Sequence, residues 1–267
     1  MSNFAAMLNF RFAKDYLLHR LRAKSRHGLH SPFVYRLVDE VIYDLNNKDI
    51  YNEIENIRSG LLSDNQVITV TDLGAGSHVN NNRQKKVSDI ARNALKSTKL
   101  AQLLYRLLKD LQPRNMIELG TCLGTTSLYL KSAATSTELY TLEGCPQTAN
   151  VAKRVFEKSG IHDVKQVTGN FDDTLPGVIE GLEQLDFVFV DGNHQKDATL
   201  NYFEWCLPKV HENTLLIFDD IYWSEGMKEA WSIIKSHPKV TVTVDLFWIG
   251  LVYFKKGQVK EDFLIRF

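Results

Sequence analysis

The sequence is short of three things: net charge, cysteine and long apolar runs. Its 267 residues carry 32 Lys plus Arg against 32 Asp plus Glu, so no whole-protein field draws it to nucleic acid or to an anionic membrane. Its three cysteines, Cys122, Cys145 and Cys206, are odd in number and too widely spaced for a zinc knuckle. They read as small buried thiols in a reducing compartment, expected to be the cytoplasm. No stretch approaches the roughly 18 apolar residues of a membrane span, and the first residues lack the apolar core of a signal peptide, so no transmembrane segment is expected. Internal repeats and long low-complexity segments are absent as well. What remains is enough chain for one large α/β domain plus an extension, with a core that needs no staples.

The organising stretch is Met116 to Leu130, MIELGTCLGTTSLYL. Met116, Ile117 and Leu119 read as a buried strand, Gly120 and Gly124 as a tight turn, and Thr125, Thr126 and Ser127 as the hydroxyl-rich start of a helix. Free N–H groups at such a turn, at the carboxyl end of a parallel strand, suit a small ligand. The spacing is Gly-x-x-x-Gly rather than the Gly-x-Gly-x-x-Gly of a dinucleotide site. Glu118, just before the turn, would repel a pyrophosphate but pair with an ammonium group.

From there strands and helices alternate: strands at 116–119, 138–142, 164–168, 186–190 and 214–218, with helices at 125–133, 146–159, 174–182 and 195–206. That rhythm predicts a mostly parallel sheet with helices on both faces. After a helix at 228–236, segments 240–246 and 250–254 are placed to pair antiparallel, and 263–267 reads as an added edge strand. Upstream, 2–24 reads as an amphipathic helix with a stripe including Phe4, Phe12, Leu17 and Leu21; seven basic residues up to Arg36 face one acid, Asp15. Ser31 and Pro32 begin a helix through Ile42, and 90–111 reads as one amphipathic helix ending before Pro113. The loop Asp72-Leu73-Gly74-Ala75-Gly76-Ser77 looks like a cofactor turn. No helical pattern follows it, and no acid-ended strand comes about 20 residues later, so it is read as a decoy, with the polar stretch after it a candidate lid.

With the glycine turn and Glu118, the chain resembles the class I S-adenosylmethionine-dependent methyltransferases, in particular the catechol and caffeoyl-CoA O-methyltransferase-like families. The resemblance covers about residues 95–254. It implies a doubly wound, Rossmann-like α/β fold: a mostly parallel seven-stranded sheet closed by an antiparallel C-terminal hairpin. Residues 1–90 become an N-terminal helical extension and polar loop that hold substrate determinants, and 91–267 the methyltransferase domain. Glu118, Gly120, Gly124 and Thr126 fall in the cofactor turn. Glu143, 23 residues after Gly120, would accept both hydroxyls of the cofactor ribose, and Asp172 beside Phe171 would meet the adenine.

Two strands end in acids: Asp191, in the run Asp191-Gly192-Asn193-His194, and Asp219-Asp220. Side by side these carboxylates repel unless a cation joins them, and hard oxygen donors suit Mg²⁺ or Mn²⁺. The resemblance makes Asp191, Asp219 and Asp220 ligands of a divalent ion beside the acceptor hydroxyl, with Asp191 also facing the cofactor. His194 stands where the catechol family has a lysine and is the candidate base. Tyr222, Trp223, Phe247 and Trp248 are candidates for an apolar wall. The expected activity is methyl transfer from S-adenosyl-L-methionine to a hydroxyl of a small molecule. Metal-independent N- or C-methylation, a non-catalytic cofactor-binding module and a homodimer stay open.

Overall fold

The computed structural model describes residues 2–71, 83–161 and 163–267. The Asp72–Ser77 loop and residues 78–82 of the candidate lid lie outside them. Helix α1 spans Ser2–Arg22. Helix α2, Pro32–Arg36, starts at Ser31, whose hydroxyl accepts from the Val34 N–H at 3.4 Å, and runs on as a π-helical turn, Leu37–Ile42. Next come α3 (Asp49–Leu62), the strands β1 (Val67–Thr69) and β2 (Gln84–Lys86), which pair antiparallel, and α4 (Val87–Ala94) and α5 (Thr98–Leu111).

The expected single helix over 90–111 is therefore two. Leu95 has extended backbone, and Ser97 caps α5 by accepting from Leu100 N–H, so the chain turns at Leu95–Ser97 and starts a fresh helix. The helix α3 has no counterpart in the sequence reading.

The βα rhythm follows as expected: β3 (Asn115–Leu119), α6 (Thr125–Ala133), β4 (Glu138–Glu143), α7 (Pro146–Lys158), β5 (Val164–Thr168), α8 (Phe171–Glu180), β6 (Leu185–Val190), α9 (Lys196–Cys206) and β7 (Val210–Asp219). The chain closes with α10 (Glu225–Ser236), β8 (Val242–Asp245), β9 (Ile249–Tyr253) and β10 (Glu261–Leu264). The main sheet has eight strands in the order β10-β8-β9-β7-β6-β3-β4-β5. Seven strands were expected, with an edge strand at 263–267; that strand forms slightly earlier and pairs parallel to β8. Within this sheet β9 runs antiparallel to both its neighbours, β7 and β8.

Side chains alternate across the sheet as strand geometry requires. Met116, Phe187, Phe189, Leu215 and Ile217 pack under α2, α3, α5 and α6; Ile117, Leu119, Val188, Val190 and Leu216 pack under α8, α9 and α10. The strand order reverses between β3 and β6, which pair directly. That is where a parallel sheet opens a crevice at its carboxyl ends.

Helix α1 departs from its expected stripe. Leu17 and Leu21 are exposed, while Phe12, Tyr16 and His19 face the protein and meet Phe247 with ring centroids 5.1, 5.0 and 5.6 Å away. Below them Asp245 forms a buried hub. It accepts from Tyr222 Oη (2.9 Å), Trp231 Nε1 (3.0 Å) and Phe247 N (2.9 Å), and pairs with His19 Nε2 at 3.0 Å. A polar cluster this deep is tolerated because nearly every donor has an acceptor.

Candidate active site

A cavity of about 770 Å³ opens at the reversal of strand order. Gly120, Cys122, Glu143, Gly144, Asn170 and Phe171 line one end; Lys96, Asp191, His194, Asp219, Asp220, Trp223 and Trp248 line the other. A second cavity, about 150 Å³ between Arg36, Asp110 and Lys255, lies away from all these strand ends.

The glycine turn is set by contact. Gly120 has φ +97°, and a Cβ there would lie 1.9 Å from the Asp191 carbonyl oxygen. Gly124 serves packing instead, since a Cβ would meet the Phe156 ring at 2.8 Å. Glu143, at the end of β4, turns back on the turn: its Oε2 accepts from Cys122 N at 2.7 Å and its Oε1 from Cys145 N at 2.9 Å. Burial pushes the Glu143 carboxyl up, opposed by these backbone donors.

Several expected contacts fall outside the cavity lining. Glu118 is fully enclosed, accepting from Ser127 Oγ at 2.5 Å and Thr141 Oγ1 at 2.6 Å, with Oε1 unpartnered. It points into the packing between β3, β4 and α6, so it braces the turn rather than lining its open side. Thr126 is buried on α6, and Gly124 stands behind Phe156. Asp172 is exposed on the first turn of α8, and Asn170 and Phe171 line the cavity in its place. The reason is local: Asn170 caps α8 by accepting from Asp172 N, so the helix begins at Phe171 and not at 174.

Burial lifts the Glu118 pKa to about 7, with the Ser127 and Thr141 donors opposing. Because the folded value exceeds the unfolded one, the protein binds more protons when folded, and stability falls as pH rises from about 4.5 to about 7. Glu118→Gln is expected to remove that fall and to stabilise the protein above pH 7 by on the order of 3 kcal/mol. Urea unfolding at pH 5 and pH 8 checks it; a variant no more stable than the parent at pH 8 would refute it.

At the other end the two acid-ended strands do converge. Ligand atoms of Asp191, His194 and Asp219 all lie within 4.8 Å of one another. His194 Nε2 is 3.8 Å from Asp191 Oδ1 and 3.9 Å from Asp220 Oδ2. Burial lowers the His194 pKa and so favours its neutral ring, the state a base needs. Burial together with neighbouring acids pushes the carboxyls of Asp191 and Asp220 up, Asp220 to about 7. Asn193 and Asp220 both hold φ near +50° (50° and 53°), and Cys122 holds +50°. Such left-handed non-glycine residues concentrate where a site must be held against local preference.

The residue that sequence reasoning missed is Lys96. From the break between α4 and α5 its Nζ reaches Asp191 Oδ1 at 3.0 Å and hydrogen-bonds Asp219 Oδ2. Burial alone would lower its pKa, but Asp191, Asp219 and Asp220 outweigh that and keep the ammonium charged. The one available signal was the Lys-Ser-Thr at 96–98, a helix start inside a continuous apolar stripe.

Of the expected aromatic wall, Trp223 and Trp248 line the cavity. Tyr222 and Phe247 stack on each other at 4.7 Å and belong to the core under α1.

A family described as a methyltransferase domain matches residues 117–221. A catechol O-methyltransferase of Niastella koreensis is 32% identical over 126 residues, which are 46% of this chain and 55% of that protein. A catechol O-methyltransferase of Bos taurus is 30% identical over 132 residues, 47% of each chain. The chain thus spans about half the length of these curated relatives. Among solved structures, an O-methyltransferase from Streptomyces achromogenes in complex with SAM superposes with a TM-score of 0.57 at 18% identity, covering 80% of this chain and 92% of that one. An O-methyltransferase from Bacillus cereus in complex with SAH gives 0.56 at 18% identity, covering 81% and 96%. These superpositions show a shared fold, and with the curated relatives the chain resembles the class I S-adenosylmethionine-dependent methyltransferases, on the side of the catechol and caffeoyl-CoA O-methyltransferases.

Proposed function

We propose that the protein transfers a methyl group from S-adenosyl-L-methionine to a hydroxyl of a small molecule. The observation that carries this reading is one cavity that has Glu143 and the glycine turn at one end and Asp191, Asp219, Asp220 and His194 at the other. The cofactor lies against Gly120 and Cys122, with its ribose on Glu143 and its adenine beside Asn170 and Phe171. The acceptor lies between Trp223 and Trp248. Methyl transfer from a sulfonium is an in-line displacement, so fixing both partners supplies much of the rate. The acceptor must also lose its proton, and His194, neutral and in the cavity, takes it.

The close-set donors of Asp191, His194 and Asp219 are of the kind a divalent ion takes, and Asp219 Oδ1 is buried without a partner. Mg²⁺ or Mn²⁺ held by Asp191 and Asp219, with Asp220 or His194, would polarise the acceptor oxygen as a Lewis acid. Lys96 stands on the same carboxylates, an observation that favours transfer without a metal in the same fold.

Calorimetric titration with S-adenosylmethionine tests the reading. Binding is expected, and Glu143→Ala should weaken it roughly 30-fold, the equivalent of about 2 kcal/mol for hydrogen bonds to a charged group. Absence of binding by the parent protein would overturn the methyltransferase reading. Unchanged affinity in a folded Glu143→Ala would remove Glu143 from the ribose.

A further inference from the structure

The acidic end of the cavity already contains a cation belonging to the chain. Lys96 is one of three residues between α4 and α5, and both flanking helices are anchored in the core through Val87, Ile90, Ala91, Leu100 and Leu103. The break is thus held from both sides and delivers one side chain into the cavity. Its side chain is 13% exposed and that of Asp219 is 1% exposed, so the pair is largely withdrawn from water. Each of the two strand-end carboxylates gives one oxygen to the same ammonium. A divalent ion on Asp191 and Asp219 would share these two carboxylates with the ammonium and sit beside a like charge.

Resting on the methyltransferase reading, we infer that Lys96 is a positioning residue of the acceptor end: its ammonium holds the Asp191 and Asp219 carboxylates together and keeps a divalent ion off them. The acidic end is then poised by a built-in cation. Lys96 orients the two carboxylates and leaves His194 and the outer face of Asp220 to the acceptor.

The test is a Mn²⁺ titration of the full chain, read by the loss of the free-ion paramagnetic resonance signal, with the parent protein, Lys96→Gln and Lys96→Arg. Lys96→Gln keeps a hydrogen-bond donor of similar reach and removes the charge, and it is expected to bind Mn²⁺ at least tenfold more tightly than the parent. Lys96→Arg keeps the charge and is expected to bind no better than the parent. A merely structural lysine would not sort the variants by charge. Mn²⁺ binding by the parent as tight as that of Lys96→Gln would overturn the inference, as would tight binding by Lys96→Arg. Micromolar binding of Mn²⁺ by the parent that a folded Asp219→Asn abolishes is by itself sufficient to refute it. S-adenosylmethionine titrated into the same samples separates the two readings. Failure to bind it overturns the methyltransferase reading, while a charge-dependent gain in Mn²⁺ affinity still supports the role of Lys96.

Discussion

Gly120→Ala is expected to abolish S-adenosylmethionine binding and to destabilise the fold by on the order of 4 kcal/mol or more, in the range reserved for severe steric conflict. The new Cβ would lie 1.9 Å from the Asp191 carbonyl oxygen, a backbone atom that cannot swing aside as a side chain can. Neither partner has slack. Gly120 N donates to Leu142 O at 2.9 Å, and Asp191 N donates to Leu119 O at 2.9 Å, so the turn is tied to β4 and the end of β6 is tied to β3. The backbone angle of +97° adds its own penalty for any L side chain. Gly160 and Gly257 provide the control: both have positive φ, and a Cβ at either meets nothing within 4 Å. Alanine there is expected to cost about 1 kcal/mol, the conformational term alone. Urea unfolding of the three variants separates contact from conformation. If all three lose the same stability, the close approach of the turn to Asp191 has no energetic weight.

The second large effect is expected at Asp245→Ala, outside the cavity lining. Its carboxylate accepts from Tyr222, Trp231 and Phe247 N and pairs with His19, and all of these are buried or half-buried. Removing it leaves several donors without partners, each at roughly 1–3 kcal/mol and not fully additive, so a loss of about 4 kcal/mol is expected. The loss has a location as well as a size. His19 is the fully buried one of the polar anchors of α1, beside Arg11 and Asp15, and Phe12 and Tyr16 dock on Phe247, whose N–H Asp245 also holds. Limited proteolysis should therefore cut within residues 2–24 of Asp245→Ala under conditions that spare the parent. Asp245→Asn keeps one acceptor oxygen and is expected to lose less. Protection of α1 in Asp245→Ala equal to that in the parent would show that its aromatic contacts suffice.

Much of this was legible in the sequence, for identifiable reasons. From Met116 to Asp219 short apolar strands alternate with helices, and each strand ends at a glycine or an acid. Two independent signals thus agreed at every step, and the cavity mouth could be placed from Gly120, Glu143, Asp191 and Asp219. The N-terminal third offered one signal at a time. The break at Leu95–Ser97 was passed over because leucines recur on both sides of it, although Leu95 and Leu100, five residues apart, lie about 140° out of phase on a helix, and Lys96 went unremarked inside one expected helix. In α1 hydrophobicity was the criterion for the buried stripe, which correctly took in Phe12 but also took in Leu17 and Leu21, both exposed. The face actually buried is aromatic and includes a histidine, chosen by what Phe247 and Asp245 offer it. That selection comes from residues more than 200 positions away, which no local pattern contains.

The two ends of the cavity also differ in how far apart their parts lie along the chain. Glu143 and the Cys122 N–H it accepts from are 21 residues apart, within one strand-helix-strand unit. Lys96 and Asp219 are 123 residues apart. Loop closure over the longer span is not itself prohibitive, since each doubling of length adds only about 0.6 kcal/mol. The constraint lies in what must be present together. Burying Asp191 and Asp219 without their ammonium would strand two charges in a dry site, so the burial of the ends of β6 and β7 depends on the helical layer that carries Lys96.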